Sequence, residues 1–200
     1  MSNRVRIMGI DPGTNYMGYG IVDIVAGKPQ AVVLGEIDMH KIKDPHHKLR
    51  HIFERVSDLC RGYAPTEVAF ESPFFGENVQ SMLKLGRAQG VAIAAVLSAT
   101  EDTPIAEYAP TRIKQAITGR GQASKEQVAT MINSILGTDY HPRKLDATDG
   151  MAVALCHYFV SSSPIPPAKT PSRRKASSSW ESFVAAHPER EIKQKKTDKK

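Results

Sequence analysis

Val5-Arg6-Ile7-Met8-Gly9-Ile10, running into Asp11-Pro12-Gly13, is the stretch whose reading decides the fold. A short, mostly apolar run has the length of a buried strand. Asp-Pro-Gly stops it, because proline has no N–H for a sheet ladder and glycine accepts the angles of a tight turn. A carboxylate therefore stands at a strand's end. Tyr16 to Ile24 and Ala31 to Ile37 are two more strand candidates, parted by Gly27-Lys28-Pro29, so the N-terminal segment predicts three consecutive strands in an antiparallel meander.

Beyond the meander the period changes. From Pro45 to Gly62 the residues Leu49, Ile52, Phe53, Val56, Leu59 and Cys60 fall on one stripe of a helix. His46, His47 and His51 lie on it with no acidic partner on their face, which predicts a solvated helix surface. Glu67 to Glu71 reads as a fourth strand with a second acid at its C-terminal end, where ligands and catalytic groups collect in α/β sheets. After Ser72-Pro73-Phe74-Phe75-Gly76 comes a long helix, Asn78 to about Ser98, whose Gly86, Ala88, Gly90, Ala92, Ala94 and Ala95 allow close packing on the sheet or on a second copy of the chain. Pro104 to Tyr108 is a fifth strand. Pro110 to Ile117 is a short helix with proline in its first turn, Gly119-Arg120-Gly121 a basic loop, and Ser124-Lys125-Glu126-Gln127 a capping box opening a helix through Leu136. A polar link, Asp139 to Leu145, leads into Asp146-Ala147-Thr148-Asp149 at the head of an apolar helix to about Phe159. Strands first, then strands alternating with helices, predict an α/β fold: a mixed five-stranded sheet flanked by helices.

Charge divides the chain. Lys plus Arg balance Asp plus Glu at 17 each over residues 1–160, whereas residues 161–200 hold 10 against 4, so the whole net charge of +6 belongs to the C-terminal segment. Residues 1–160 thus read as one domain. Residues 161–200, opened by Ser161-Ser162-Ser163-Pro164-Ile165-Pro166-Pro167, read as a flexible basic tail that seeks anions. Within it Trp180, Phe183 and Val184 have the spacing of a short docking helix near 179–186. Cys60 and Cys156 have no paired spacing and read as buried thiols. No signal-peptide core forms before Asp11 and no later run approaches membrane-spanning length, which predicts a soluble cytoplasmic protein.

Four carboxylates occupy telling places: Asp11 and Glu71 at strand ends, Asp146 and Asp149 three apart on one helix face. Each has a local explanation as a turn residue, a strand-end charge or a helix cap. Brought together they form a cluster that needs cations. Magnesium is suited to it, since it takes a few carboxylates and leaves positions for water and substrate phosphate. Two such ions about 3.5 to 4 Å apart stabilise both the attacking and the leaving oxygen of an in-line displacement at phosphorus.

Ile10-Asp11-Pro12-Gly13-Thr14 with Gly18-Tyr19-Gly20, Phe70-Glu71, Leu83-Lys84-Leu85-Gly86-Arg87-Ala88-Gln89-Gly90, Tyr108-Ala109-Pro110 and Asp146-Ala147-Thr148-Asp149-Gly150 together resemble the RuvC family, the bacterial crossover (Holliday) junction endodeoxyribonucleases. The resemblance covers residues 4 to about 159. It implies a ribonuclease H-like fold, a homodimer, and paired symmetric nicking of four-way DNA junctions in recombination and repair. It also implies two Mg2+ per active site, with Mn2+ as a substitute, and a branch-migration partner of the RuvA-RuvB type. Carried over residue by residue, it makes Asp11, Glu71, Asp146 and Asp149 the catalytic metal ligands. It matches Phe74 to the aromatic that stacks at the junction, and Lys114 and Lys125 to the active-site lysines, which offset phosphate charge. Arg120, in the basic loop, is a further candidate DNA contact. Burial of Phe74 and ordinary surface roles for the lysines are the competing readings. The chain departs from the family in the stiff Ser72-Pro73 after Glu71 and in its long basic tail. Two rivals remain. An actin-like ATPase shares the Gly-Ile-Asp-x-Gly-Thr motif but needs two such domains, and a non-catalytic junction-binding module has no use for four intact acids.

Overall fold

The structure is a computed structural model that describes residues 5–73, 78–140 and 146–162; of Asp146 only the backbone is described. Phe74 and the tail with its candidate helix near 179–186 lie outside the described residues.

Strands β1 (Val5–Asp11), β2 (Tyr16–Val25) and β3 (Lys28–Asp38) form the expected antiparallel meander. β3 starts earlier than its apolar pattern predicts. Ala26 (φ 50°) and Gly27 (φ 72°) make the whole turn in the left-handed region, so pairing resumes at once with Val25 opposite Lys28. Pro29 is tolerated inside β3 because β3 is an edge strand, where a missing N–H leaves no ladder bond unmade. Helix α1 (Pro45–Tyr63) leads to β4 (Glu67–Glu71), which pairs parallel with β1. Helix α2 (Val79–Ala99) leads to β5 (Ile105–Tyr108), parallel to β4. The sheet order is β3-β2-β1-β4-β5. Helices α3 (Pro110–Thr118), α4 (Lys125–Leu136) and α5 (Asp146–Ser161) complete the described chain.

Side-chain alternation divides the core in two. Met8, Ile10, Val68 and Phe70 point toward α1 and α2, while Ile7 and Ala69 point toward α3, α4 and α5. Asp11 and Glu71 continue the parity of Ile7 and Ala69, so both strand-end acids fall on the α5 side. Two expectations need correction. Phe53, placed on the apolar stripe of α1, is 37% exposed at the stripe's edge. And α2 is long and apolar enough to cross a membrane by length and composition, contrary to the expectation that no run is. Its Ala88, Ala92, Ala95 and Val96 pack into the core and its buried Gln89 donates to Glu107 Oε2 at 2.7 Å, which are the contacts of a core helix. Both cysteines are buried, and burial pushes the Cys60 thiol up to about 11 and that of Cys156 to about 12.

α5 is buried nearly all round, from Met151 to Cys156, and lies against β1 and β2 backbone to backbone. Gly9 and Gly20 are cross-strand partners that form a floor without side chains. A Cβ on Gly9 would fall within 3 Å of the backbone of Ala154 and Gly150, one on Gly20 within 3 Å of Met151, and one on Gly150 within 3 Å of Tyr19. At the sheet's opposite end Arg6 Nε and Nη2 donate to Asp23 at 2.7 and 3.0 Å, and Nη1 donates to Tyr63 O at 2.6 Å, tying β1, β2 and the end of α1 together. Gly9→Ala should lower unfolding free energy in urea by about 2–3 kcal/mol, because α5 must move off the sheet. Gly62→Ala, whose Cβ meets nothing, should change it by less than about 1 kcal/mol and in the stabilising direction. Equal effects would show that the close approach carries no energy.

Candidate active site

Asp11 and Glu71 end adjacent parallel strands one residue beyond the paired Ile10 and Phe70, so the two carboxylates leave the sheet side by side. Asp149 comes down on them from the first turn of α5. The three line one cleft of about 200 Å3 with Lys114 and Lys125, over a floor that includes Ile113, Val128 and Ala152. Five of the eight candidate residues thus meet. Asp146 opens α5, three residues before Asp149, with its side chain outside the described residues, as is all of Phe74. Arg120 is placed elsewhere: it lines a separate hollow with Glu126 and Thr130, and its backbone N–H donates to Thr118 Oγ1 at 3.1 Å.

Local sequence explains how the lysines arrive. Pro110 sets the first turn of α3, which puts Lys114 a turn further along, and Gly119 (φ 76°) ends the helix in the left-handed region. The capping box of α4 is formed as the spacing predicts. Gln127 N–H donates to Ser124 Oγ at 3.3 Å, and Ser124 N–H donates to Gln127 Oε1 at 2.9 Å. This fixes Lys125 at the first position of α4, where a cation opposes the helix dipole. Its compensation is Asp149, whose Oδ2 accepts from Lys125 Nζ at 2.6 Å.

Burial first, and the neighbouring Asp149 charge second, push the Glu71 carboxyl up to about 7, against the pull of Lys125 and Lys114. Burial is the larger cause, so the site is shielded from water as well as crowded with acids. Among the described residues no three acidic, histidine or cysteine side chains stand close enough to share one ion. In kind, the donors fit a hard divalent cation: they are carboxylate oxygens gathered at one cleft.

The sequence reading missed the polar chain behind the cleft. Tyr108 pairs with Glu71 in the sheet, and its carbonyl accepts from Ser72 N–H at 2.8 Å, holding the end of β4. Tyr108 Oη lies 2.7 Å from His157 Nδ1, and His157 Nε2 lies 2.6 Å from Glu67 Oε2. With Glu67 ionised, Nε2–H donates to it, leaving Nδ1 of a neutral ring to accept from the phenol. Burial pushes Tyr108 up to about 12, so that donor stays protonated. The available signal was that Glu67 shares the strand face of Glu71; nothing local pairs it with a histidine 90 residues away.

A family model described as crossover junction endodeoxyribonuclease RuvC matches residues 7–157. The chain is 51% identical over 186 residues to the crossover junction endodeoxyribonuclease RuvC of Bacteroides fragilis, covering 92% of this chain and 94% of that one. It is 48% identical to the protein of the same name from Cytophaga hutchinsonii, covering 96% and 94%. Among solved structures it is similar to Thermus thermophilus RuvC in complex with Holliday junction substrate, with a TM-score of 0.72 and 32% identity over 78% of this chain and 94% of that chain.

The raised carboxyl predicts a pH dependence. Glu71 binds its proton more tightly folded than unfolded, so with metal removed stability should fall as pH rises from about 4.5 through about 7, by on the order of 3 kcal/mol from this group, and level off above. Thermal melts across that window should show the loss in metal-free wild type and a flatter profile in Glu71→Gln. Added Mg2+ should raise Tm more at pH 8 than at pH 5.5. Identical profiles for the two proteins would remove Glu71 as the source.

Proposed function

The chain belongs to the RuvC family and is a Holliday junction endonuclease of recombination and repair with a ribonuclease H-like fold, and we propose that its cleavage chemistry resides in the cleft of Asp11, Glu71, Asp146 and Asp149. The observation that carries this reading is the meeting of Asp11, Glu71 and Asp149 in one cleft with Lys114 and Lys125. RuvC nucleases depend on divalent metal. The four acids would hold two Mg2+ ions, with Mn2+ as a substitute. When bound, such ions supply Lewis-acid stabilisation to the phosphoryl oxygens. Lys114 and Lys125 offset the phosphate's charge, and Lys125 can do so only by sharing or releasing Asp149. Water attacks phosphorus in line with the departing 3′ oxygen, leaving a 5′-phosphate and a 3′-hydroxyl that a ligase can reseal. Phe74 is assigned to stacking at the junction, and Arg120 to a contact outside the cleft. An ATPase or a non-catalytic module is not favoured by these relatives.

We assign the outer face of α2 to a homodimer. Val79, Leu83 and Leu97 are about 60% exposed and share a helix face with Gly86 and Gly90. A Cβ on either glycine would meet nothing within this chain, yet each costs the helix about 1 kcal/mol relative to alanine. A partner helix in close approach accounts for both. The cytoplasm is the compartment assigned. Residues 1–160 are the nuclease domain and residues 161–200 a basic extension. Docking to a RuvA-RuvB type complex is expected from the family.

On a labelled synthetic four-way junction, wild type should make two symmetric nicks only when magnesium is added. Asp149→Asn should bind the junction and lose cleavage by at least about 100-fold. Undiminished cleavage by that variant would reject the site. Gly86→Leu/Gly90→Leu should sediment as a monomer where wild type sediments as a dimer; an unchanged dimer would move the interface elsewhere.

A further inference from the structure

On the other face of the sheet a second cleft, of about 470 Å3, opens between the turn after Asp11, the start of α1 and the N-terminal half of α2. Lys43, His46, Lys48, Lys84 and Arg87 line it, and among the described residues no acidic side chain does. The concentration is local, since residues 1–160 carry equal numbers of basic and acidic side chains. Among the described residues none of the four Lys and Arg side chains pairs with a carboxylate. The nearest acid in sequence, Asp44, is engaged as the cap of α1, accepting from His47 N–H at 2.8 Å, with His46 Nδ1 at 3.8 Å. Lys48 Nζ donates to Thr14 O at 3.0 Å and Asn15 Oδ1 at 2.6 Å, so one wall of the cleft is tied to the turn that follows Asp11.

We propose that this cleft binds a backbone phosphodiester of the DNA, a few nucleotides from the cleaved phosphate. The inference rests on the junction-nuclease reading above. Unpaired cations on two walls suit an anion that reaches both. Leu49, Ile52 and Ala88 on the lining suit the apolar faces of a sugar. The position follows from chain reach. At most about 10 Å of backbone separates Asp11 from Thr14 at the rim of this cleft, so the two clefts lie a few nucleotides apart at most. A strand leaving the catalytic cleft over the C-terminal edge of the sheet therefore meets this second cleft within a few nucleotides. Phosphate contacts of this kind set register without reading sequence.

The test uses the full-length protein without magnesium, a labelled four-way junction, and the variant Lys43→Ala/Lys84→Ala, whose exposed side chains can be removed without opening the core. The slope of log K against log salt should fall by about one to two, and affinity near 0.15 M salt should weaken roughly ten-fold or more. Replacing single phosphates by uncharged methylphosphonates, at each of the first few nucleotides from the nick site, should weaken wild type at one position and leave the variant nearly unaffected there. Equal slopes, or a methylphosphonate penalty shared by both proteins at every position, overturns the proposal. A Tm rise with inorganic phosphate in wild type alone, with no methylphosphonate effect, overturns the nucleic-acid assignment. Wild type that neither binds nor cleaves junctions overturns the nuclease reading and this one with it; wild-type cleavage beside unchanged variant binding overturns the cleft alone.

Discussion

The backbone contact between α5 and the β1–β2 pair is the constraint on which the rest of this structure depends. Gly9 and Gly20 face one another across the two strands, and Gly150 answers them from the helix. A helix resting on ordinary side chains would stand further from the sheet and carry Asp149 away from Asp11 and Glu71. With three side chains missing, the helix sinks until backbone meets backbone, and its first turn reaches the strand ends. Hydrophobic burial then holds it there, since Met151 through Cys156 are all out of water. The acidic cleft is in this sense a product of packing.

Packing alone would make that cleft unstable in charge. Acids at two strand ends and one helix start crowd a shielded site, and the rise of Glu71 to about 7 follows from its burial first and the Asp149 charge second. Lys125 relieves part of it through Asp149. A lysine at that position opposes the dipole of its own helix, so the pair is explained by the site and not by the stability of α4. The chain Tyr108–His157–Glu67 lies on the same sheet face and keeps β4 and β5 in register with α5 through satisfied hydrogen bonds. The two faces of the sheet are thereby given different character: acids on the α5 side, cations on the α1–α2 side, joined by the one turn after Asp11.

Much of this was legible before any coordinates. Apolar runs with their turn residues marked all five strands, and apolar stripes, small residues and start signals all five helices. The capping box at Ser124 and the proline at 110 marked helix starts that the structure keeps. Where boundaries slipped, the cause was turn chemistry: Ala26 shares the left-handed turn with Gly27, a conformation that a non-glycine residue does not announce, so β3 begins at Lys28. Phe53 slipped because a helical stripe has edges, and sequence spacing does not say where water begins. The roles of Gly9, Gly20 and Gly150 were not legible, because a glycine needed for close approach and one in open space such as Gly62 look alike in a sequence.

The sequence by itself determined the local facts: which residues form strands and helices, that acids end β1 and β4, that two more open α5, and that the net charge belongs to the C-terminal segment. These depend on neighbours within a few positions, where steric and hydrogen-bonding preferences act directly. Only the tertiary structure decided that Asp11, Glu71 and Asp149 meet, that Lys125 takes Asp149, that Tyr108 reaches Glu67 through His157, and that four cations gather beside the Asp11 turn. Those contacts join residues tens of positions apart. Their distances follow from strand order, side-chain parity and the depth at which α5 rests on the sheet, none of which is a property of any single stretch of chain.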